Sequence, residues 1–423
     1  MFPTPTASGP AAATAAPTAP SSSRGPAVRA AGNLLRRAGP ALLGYTAVRL
    51  LGTLVLMKWA HLQHRGLWPL LANRWDSRWY LGIAEHGYSY AFDENGFNES
   101  NLAFFPLYPV VVKAVAGVTP GSRASVGLAV AAGCALLAAW GIFAVGERLY
   151  GARVGTVLAV LWGATPVAAV QWMGYTESLF TALVAWSLYA VLSDRWVAAG
   201  ALCLLAGLTR PTGLALVAAV CVSAVVALWR VRRAAAPEPV TRTATTTAAP
   251  LPPDRRRVRR IVLGMLLAPL GWLAYVGWVG LRLGRADGYF AVQRQWTNQW
   301  DGGEQTLRAF RDTFIYPSHP QFFLVVVALV LLVSVALYLL CVCDRQPLPL
   351  LVFSGVLLLV VLGSGGVFFP RARFLLPGFP LLLPLALAIA RAHRRVAVLA
   401  LSAAALGSAY FGAYMTLVYG GPP

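Results

Sequence analysis

Eleven apolar runs follow one another along this chain, at roughly 41–60, 125–146, 155–171, 178–193, 196–209, 211–229, 261–282, 321–343, 348–364, 374–391 and 395–417. Runs of this kind, repeated over almost the whole length, predict one integral membrane domain rather than a soluble domain with a single anchor. Several are shorter than the roughly 20 residues that a perpendicular helix needs to cross, so about eleven transmembrane helices are expected. The stretch 103–118, "AFFPLYPVVVKAVAGV", differs from the rest. Its two prolines and Lys113 predict a helix lying on, or re-entering, the outer face, and counting it as a span would reverse everything downstream.

Charge usage supports the same class. Only 12% of the 423 residues are charged and 58% are hydrophobic, against about 25% charged in soluble domains. The formal net charge is nevertheless +20, and Lys58 and Lys113 are the only lysines among 35 basic residues. Basicity on this scale suits nucleic acid or an anionic membrane surface. In a polytopic chain it marks loops on the cytoplasmic side, so no nucleic-acid partner is expected and membrane lipids are. The near-exclusive use of arginine, with abundant Ala, Gly and Pro, matches a GC-rich bacterial genome. Cys134, Cys203, Cys221, Cys341 and Cys343 all lie in apolar runs, without the spacing of a metal site or a disulfide framework.

Topology follows from where the arginines fall. Residues 1–38, rich in Pro, Ala, Thr and Ser, read as a disordered cytoplasmic tail, and 39–423 as the membrane domain. The first apolar run begins too late for a cleaved signal peptide. With 103–118 outside, the linker 230–260 lies in the cytoplasm; it carries nine arginines against Glu238 and Asp254. "ERLYGAR" (147–153) and "RAHRR" (391–395) fall on the same side, as the positive-inside rule requires. The charge-balanced loops 61–124 and 283–320 then lie outside, the first with juxtamembrane helices.

This arrangement gathers ten of the fifteen acidic residues on the outer face, among them Asp76, Glu85, Glu177, Asp287 and Asp301. Trp75, Trp79, Tyr80, Phe104, Tyr175, Trp296 and Phe369 lie there too. Tryptophan and tyrosine line any bilayer interface, but carboxylates and amides mixed with aromatics also suit a sugar. The loop "DGYFAVQRQWTNQWD" (287–301), with Gln293 and Trp296, supplies that mixture, or is an amphipathic surface helix. Asp76 in "NRWDSRWYLGIAEHGY" has plain alternatives: it caps a helix beginning at Ser77, or sits in the first turn of one capped by Asn73. Trp75 and Trp79, four apart, share one face as interfacial anchors would, with Asp76, Tyr80 and Ile83 on the adjacent stripe. Glu177 can equally be a first-turn acid behind Thr176. Arg371 and Arg373 in "FFPRARFLLPGFP" are outer-side arginines. They suit a bidentate grip on phosphate or snorkelling to headgroups, and Arg210 in "GLTRPTG" shares the ambiguity.

"WDSRWYLGIAEHGY" with the following "FFPLYP", then "YTESLF" (175–180), "GLTRPTG" (207–213) and "RFLLPGFP" (373–380), occur in the order of the PIG-V family, which the chain resembles. These are bacterial relatives of the second mannosyltransferase of GPI-anchor assembly, with the GT-C glycosyltransferase fold. The resemblance spans most of residues 70–380. It implies a multi-pass mannosyltransferase of the bacterial cell membrane, N-terminus inside and active site outside. The donor would be polyprenyl-phosphate-mannose, and the acceptor a hydroxyl on a glycan, glycolipid or protein. Asp76 would be the catalytic base and Glu177 a second carboxylate. Arg371 and Arg373, with Arg210, would hold the donor phosphate, and Trp75, Trp79, Tyr80, Gln293 and Trp296 would contact substrate. No cofactor or metal is required, although the acidic cluster has the chemistry to accept a divalent ion. The competing class is a lipid-linked-sugar flippase or transporter. That class calls for ionisable residues within spans and symmetry between halves, whereas these spans are almost free of acids.

Overall fold

The computed structural model describes residues 26–88, 100–234, 254–316, 321–419 and 421–422, with side chains from Arg36 onward. Among them there is no β-strand; one isolated bridge joins Trp300 to Ser364. The chain divides into a short unit, Met1–Arg37, and a main unit, Ala38–Pro423.

The first helix, α1 (Pro26–Leu62), begins well before the expected boundary at residue 39. Pro26 suits the first helical position, and the Ala-, Arg- and Leu-rich segment behind it consists of strong helix formers. Three short helices make up the first polar loop: α2 (Leu67–Ala72), α3 (Asp76–His86) and α4 (Leu107–Ala116). The ten residues of α4 are too few to cross a bilayer, as its prolines predicted. Next come α5 (Arg123–Tyr150), α6 (Ala152–Gly163), α7 (Glu177–Leu192), α8 (Trp196–Gly207) and α9 (Gly213–Ala234). The basic linker is helical at both ends, because α9 runs to Ala234 and α10 (Arg255–Leu267) begins at Arg255, capped by Asp254 accepting from Arg256 N at 3.0 Å. Its middle lies outside the described residues.

The expected span 261–282 is broken at Pro269 into α10 and α11 (Leu270–Leu283), since proline removes a helix hydrogen bond and crowds the preceding turn. The second polar loop holds α12 (Gly288–Gln295) and α13 (Glu304–Phe314). After α14 (Phe322–Cys343) and α15 (Leu348–Gly363) comes a single turn, α16 (Arg371–Phe374), followed by α17 (Leu383–Arg391) and α18 (Arg394–Tyr414). Six segments of the described residues are long and apolar enough to cross a membrane: Arg36–Leu62, Arg123–Tyr150, Gly213–Ala234, Arg255–Leu283, Phe322–Cys343 and Arg394–Tyr419. The remaining expected spans are apolar but short, as with α6, α8 and α17. The protein is a multi-pass, all-α membrane protein.

Small residues let these helices touch backbone to backbone. A Cβ on Gly146 of α5 would stand 2.7 Å from Gly155 Cα of α6. One on Gly200 of α8 would stand 2.3 Å from the Gly264 carbonyl oxygen of α10. Between α6 and α7 the chain makes a 3-10 turn, Ala168–Trp172. It returns through Met173–Thr176 past the end of α2, where Gly174 N donates to Leu71 O at 2.9 Å, and against Ser77 of α3. That return brings the first residues of α7 against the first residues of α3.

Candidate active site

Asp76 opens α3, with Trp75 in the N-cap position at φ +51° and making no side-chain cap. The carboxylate therefore belongs to the first turn but does not close the helix end. It is paired with Arg373, whose Nη2 lies 2.6 Å from Asp76 Oδ2. Arg373 comes from α16, and its Nε stands 3.7 Å from Glu177 Oε1. Glu177 opens α7 and is in turn 2.7 Å from Arg210 Nη1. Two carboxylates and two guanidiniums thus form one neutral chain of charges, Asp76–Arg373–Glu177–Arg210, joining α3, α16, α7 and the α8–α9 turn.

Burial grades along the chain. The Glu177 side chain is 1% exposed and that of Arg373 7%, while Asp76 retains 21%. Asp76 is thus the acid open to an incoming molecule, and Glu177 the one committed to its partners. Burial alone would lower the Arg373 pKa, but the charges of Asp76 and Glu177 outweigh it and hold the guanidinium above its ordinary value. Arg373 lies over the rings of Tyr175 and Phe374, at 5.1 and 5.4 Å from their centroids. Arg210 Nη1 also donates to Thr176 Oγ1 at 2.9 Å, and that hydroxyl shares a 3.2 Å hydrogen bond with Tyr80 OH. Burial pushes the Tyr80 phenol well above its usual range, so it remains a neutral donor.

Asp76, Tyr80, Arg210 and Arg373 face a cleft of about 190 Å³ whose other walls include Phe104, Gln293, Trp296, Asn298, Phe369 and Phe374. Phe104 and Trp296 meet edge to face at 5.3 Å. Trp79 stacks on Phe104 at 5.6 Å and meets Trp296 at 5.2 Å. It therefore supports the aromatic wall from behind. Trp296 Nε1 donates to Ser100 O at 3.0 Å, and Gln293 Nε2 to Tyr289 OH at 2.8 Å. The Arg373 Nη1 and Glu177 Oε2 atoms are buried without a hydrogen-bond partner. Buried polar atoms of native proteins are normally satisfied, so these mark a place where the site has capacity for further contacts.

The structure brings most of the sequence-expected residues together and separates two. Trp75 lies outside the helix and does not share a helical face with Trp79; it packs against the main core beneath the Arg74 guanidinium, 4.0 Å above its ring. Arg371 does not reach the cleft. It donates to Thr306 Oγ1 and to the Ser364 carbonyl, tying α13 to the segment before α16. Two positions apart on a helical turn, Arg371 and Arg373 point to opposite sides, so no shared grip on one group is available to them. Asp287 is exposed and paired with Arg285 and Arg294, away from the cluster. Tyr175, Thr176, Phe374 and Asn298 have no substrate role in the sequence reading, yet each belongs to a block quoted above: "YTESLF", "RFLLPGFP" or the 287–301 loop. Three or more acidic, His or Cys side chains grouped as for a metal ion are absent from the described residues.

No protein-family model and no curated protein sequence matches the chain. Among solved structures, it is similar to the Archaeoglobus fulgidus oligosaccharyltransferase tethered with an acceptor peptide containing the NVT sequon. The identity is 15% and the TM-score 0.46, over 90% of this chain and 56% of that one. The oligosaccharyltransferase AglB of the same organism, in complex with an inhibitory peptide and a dolichol-phosphate, matches at 14% identity and TM-score 0.49, over 90% and 56%. ArnT from Cupriavidus metallidurans bound to undecaprenyl phosphate matches at 15% and 0.47, over 85% and 61%. The chain spans little more than half the length of each of them.

Proposed function

We propose that the protein is a membrane glycosyltransferase of the GT-C type. In this reading it moves a mannosyl unit from polyprenyl-phosphate-mannose to an acceptor hydroxyl at the outer face of a bacterial membrane. The observation that carries the reading is the Asp76–Arg373–Glu177–Arg210 chain set into an aromatic and amide-lined cleft. Aromatic walls pack against the apolar faces of a pyranose. A partly exposed carboxylate beside buried arginines is what a hydroxyl nucleophile and a departing phosphate need. The PIG-V resemblance of "WDSRWY", "YTES", "RPTG" and "RFLLPGFP" supports the sugar and the donor, since parts of all four blocks meet at this cluster.

In the proposed reaction Asp76 takes the proton of the acceptor hydroxyl, whose oxygen attacks the anomeric carbon as the carbon–phosphate-oxygen bond breaks. One in-line displacement inverts the anomeric centre. The departing lipid phosphate is held by arginine, a positioned cation in a low-dielectric wall. Arg373 is the group for this, because its Nη1 is unpartnered. A phosphate that draws Arg373 toward itself would also release Asp76 from the 2.6 Å ion pair and free it as the base. Glu177, held by both arginines, keeps the guanidiniums in place. A second cavity of about 440 Å³ lies on the other side of α16, lined by Ala372, Leu375 and Leu376 and by apolar residues of α6 and α14. An isoprenoid tail threaded there would leave its phosphate beside Arg373.

The test is incubation of the purified protein with labelled polyprenyl-phosphate-mannose and a membrane extract as acceptor. Release of free polyprenyl phosphate together with labelled acceptor is the expected result. Sugar-lipid that crosses a vesicle uncleaved would instead establish a flippase.

A further inference from the structure

A second opening lies at the other end of the helices that build the charge cluster. Glu177 opens α7 and Leu192 closes it, 16 residues in all, or about 24 Å at 1.5 Å per residue. At that far end α7, α9 and α15 leave a crevice of about 860 Å³, within the usual size range of ligand pockets. One stripe of α9 forms a wall: Ser223, Ala227, Arg230 and Ala234, spaced by four, three and four, all line it, as residues on one helical face do. Leu192 of α7 and Leu348 of α15 add apolar surface.

Two arginines, Arg230 and Arg257, line the same crevice. Arg257 is committed, with its Nε 3.0 Å from Asp194 Oδ2. Nothing among the described residues pairs with Arg230. The field around it is strongly positive. The end of α9 and the start of α10 carry Arg230, Arg232, Arg233, Arg255, Arg256, Arg257, Arg259 and Arg260, against Asp194 and Asp254 on the adjoining turns. The positive-inside rule sets this end in the cytoplasmic leaflet. A long side chain on a helix leans toward the helix N-terminus, which for Arg230 is deeper into the bilayer, over Val226 and Ala227. Both of these line the crevice. One turn deeper, the Ser223 hydroxyl is buried without a hydrogen-bond partner. An unpaired cation, an apolar floor and an unused donor below it match, in that order, the phosphate, acyl chain and ester carbonyl of a phospholipid.

We propose that this crevice holds one anionic phospholipid of the inner leaflet, its phosphate on Arg230 and one acyl chain along the floor beside Ala227. Basic pockets between helices on the cytoplasmic side suit such headgroups. The lipid would join the cytoplasmic ends of α7, α9 and α15, and the assignment is independent of the reaction proposed at the opposite end.

The test uses the purified full-length protein in detergent, with thermal unfolding followed after addition of phosphatidylglycerol or of phosphatidylcholine with the same acyl chains. Phosphatidylglycerol should raise the midpoint by a few degrees over phosphatidylcholine, because a ligand bound only to the native state stabilises it by mass action. Arg230→Gln should lose that increment, and so should Ala227→Phe, which fills the floor and leaves the arginine. Arg232→Gln, outside the crevice, should keep it. Arg230 is exposed, so its substitution carries the test if Ala227→Phe fails to fold. Equal midpoints with the two lipids, an increment that survives in Arg230→Gln or in folded Ala227→Phe, or an equal loss in Arg232→Gln would each overturn the proposal.

Discussion

Replacing Arg373 by methionine isolates the cluster's energetics from its chemistry. The guanidinium engages Asp76 through Nη2 at 2.6 Å and Glu177 through Nε at 3.7 Å, with 7% of the side chain exposed. Its loss turns a neutral group of four into one with an excess negative charge. Removing one partner of a buried pair costs about 3–5 kcal/mol. Glu177 keeps Arg210 at 2.7 Å, and Asp76 is exposed enough to take up water, so the lower end, about 3 kcal/mol, is expected. That is about a hundredfold in the folded-to-unfolded ratio, at about 1.4 kcal/mol per decade. Arg373→Lys should recover only part of it, since one ammonium cannot occupy two separate nitrogen positions. The assay is denaturant unfolding in micelles, followed by tryptophan fluorescence, for the parent, Arg373→Met, Asp76→Asn and the double variant. The Arg373–Asp76 coupling should fall at about 0.5–3 kcal/mol. A stability within about 0.5 kcal/mol of the parent for Arg373→Met, the range of an ordinary surface substitution, or a coupling of zero, would refute the reasoning.

Close helix contact gives a second prediction. Gly155→Val places a Cβ 2.6 Å from the Phe143 carbonyl oxygen and should destabilise by at least about 1–3 kcal/mol. Gly133→Ala on the same helix pair, where nothing lies within 4 Å, should be neutral or stabilising by thermal melt. A third concerns acid. Asp301 accepts from Gly303 N at 2.8 Å and Gln305 N at 3.0 Å at the start of α13. Burial alone would raise its pKa, but those backbone donors outweigh it and hold it below the ordinary value. A depressed folded-state pKa gives stability that is present above the unfolded value and lost as pH falls through the folded one. Protease cleavage within α13 should therefore rise below about pH 4, the ordinary aspartate value, and Asp301→Asn should be cleaved readily at neutral pH and change little on acidification. Trp296→Ala should raise the donor KM about tenfold, consistent with about 0.5–1.5 kcal/mol for an aromatic contact beyond its area burial; an unchanged KM would remove Trp296 from the binding wall.

Much of this architecture can be read from residue order. Most of the apolar runs correspond to helices, although 155–171 leaves α6 at Gly163 and 374–391 becomes α17 only at Leu383; proline marks both the short α4 and the break between α10 and α11. Asp76 falls in a first helical turn, but behind Trp75, while Asn73 closes α2 instead of capping α3. What sequence hides is direction within a turn. Arg371 and Arg373 look like a pair, yet a 3.6-residue period sends one to Thr306 and the other to Asp76. Trp75 and Trp79 look like one face, but the positive φ at Trp75 starts the helix a residue later. The linking of Glu177 to Asp76 through Arg373 depends on the 3-10 turn Ala168–Trp172, whose residues extend an apolar run and carry no local signal of a reversal.

The central claim is that Asp76 is the base of a glycosyl transfer, and Asp76→Asn tests it most directly. Asparagine keeps the shape of the side chain and a hydrogen bond to Arg373, while removing the proton acceptor. Transfer of labelled mannose from its polyprenyl-phosphate carrier should be measured at saturating donor, with unfolding of the same sample recorded alongside. The expected result is a rate lower by about 10²–10⁴-fold, the usual worth of general-base help, in a protein that remains folded. A folded Asp76→Asn variant that transfers sugar at the parent rate would contradict the account.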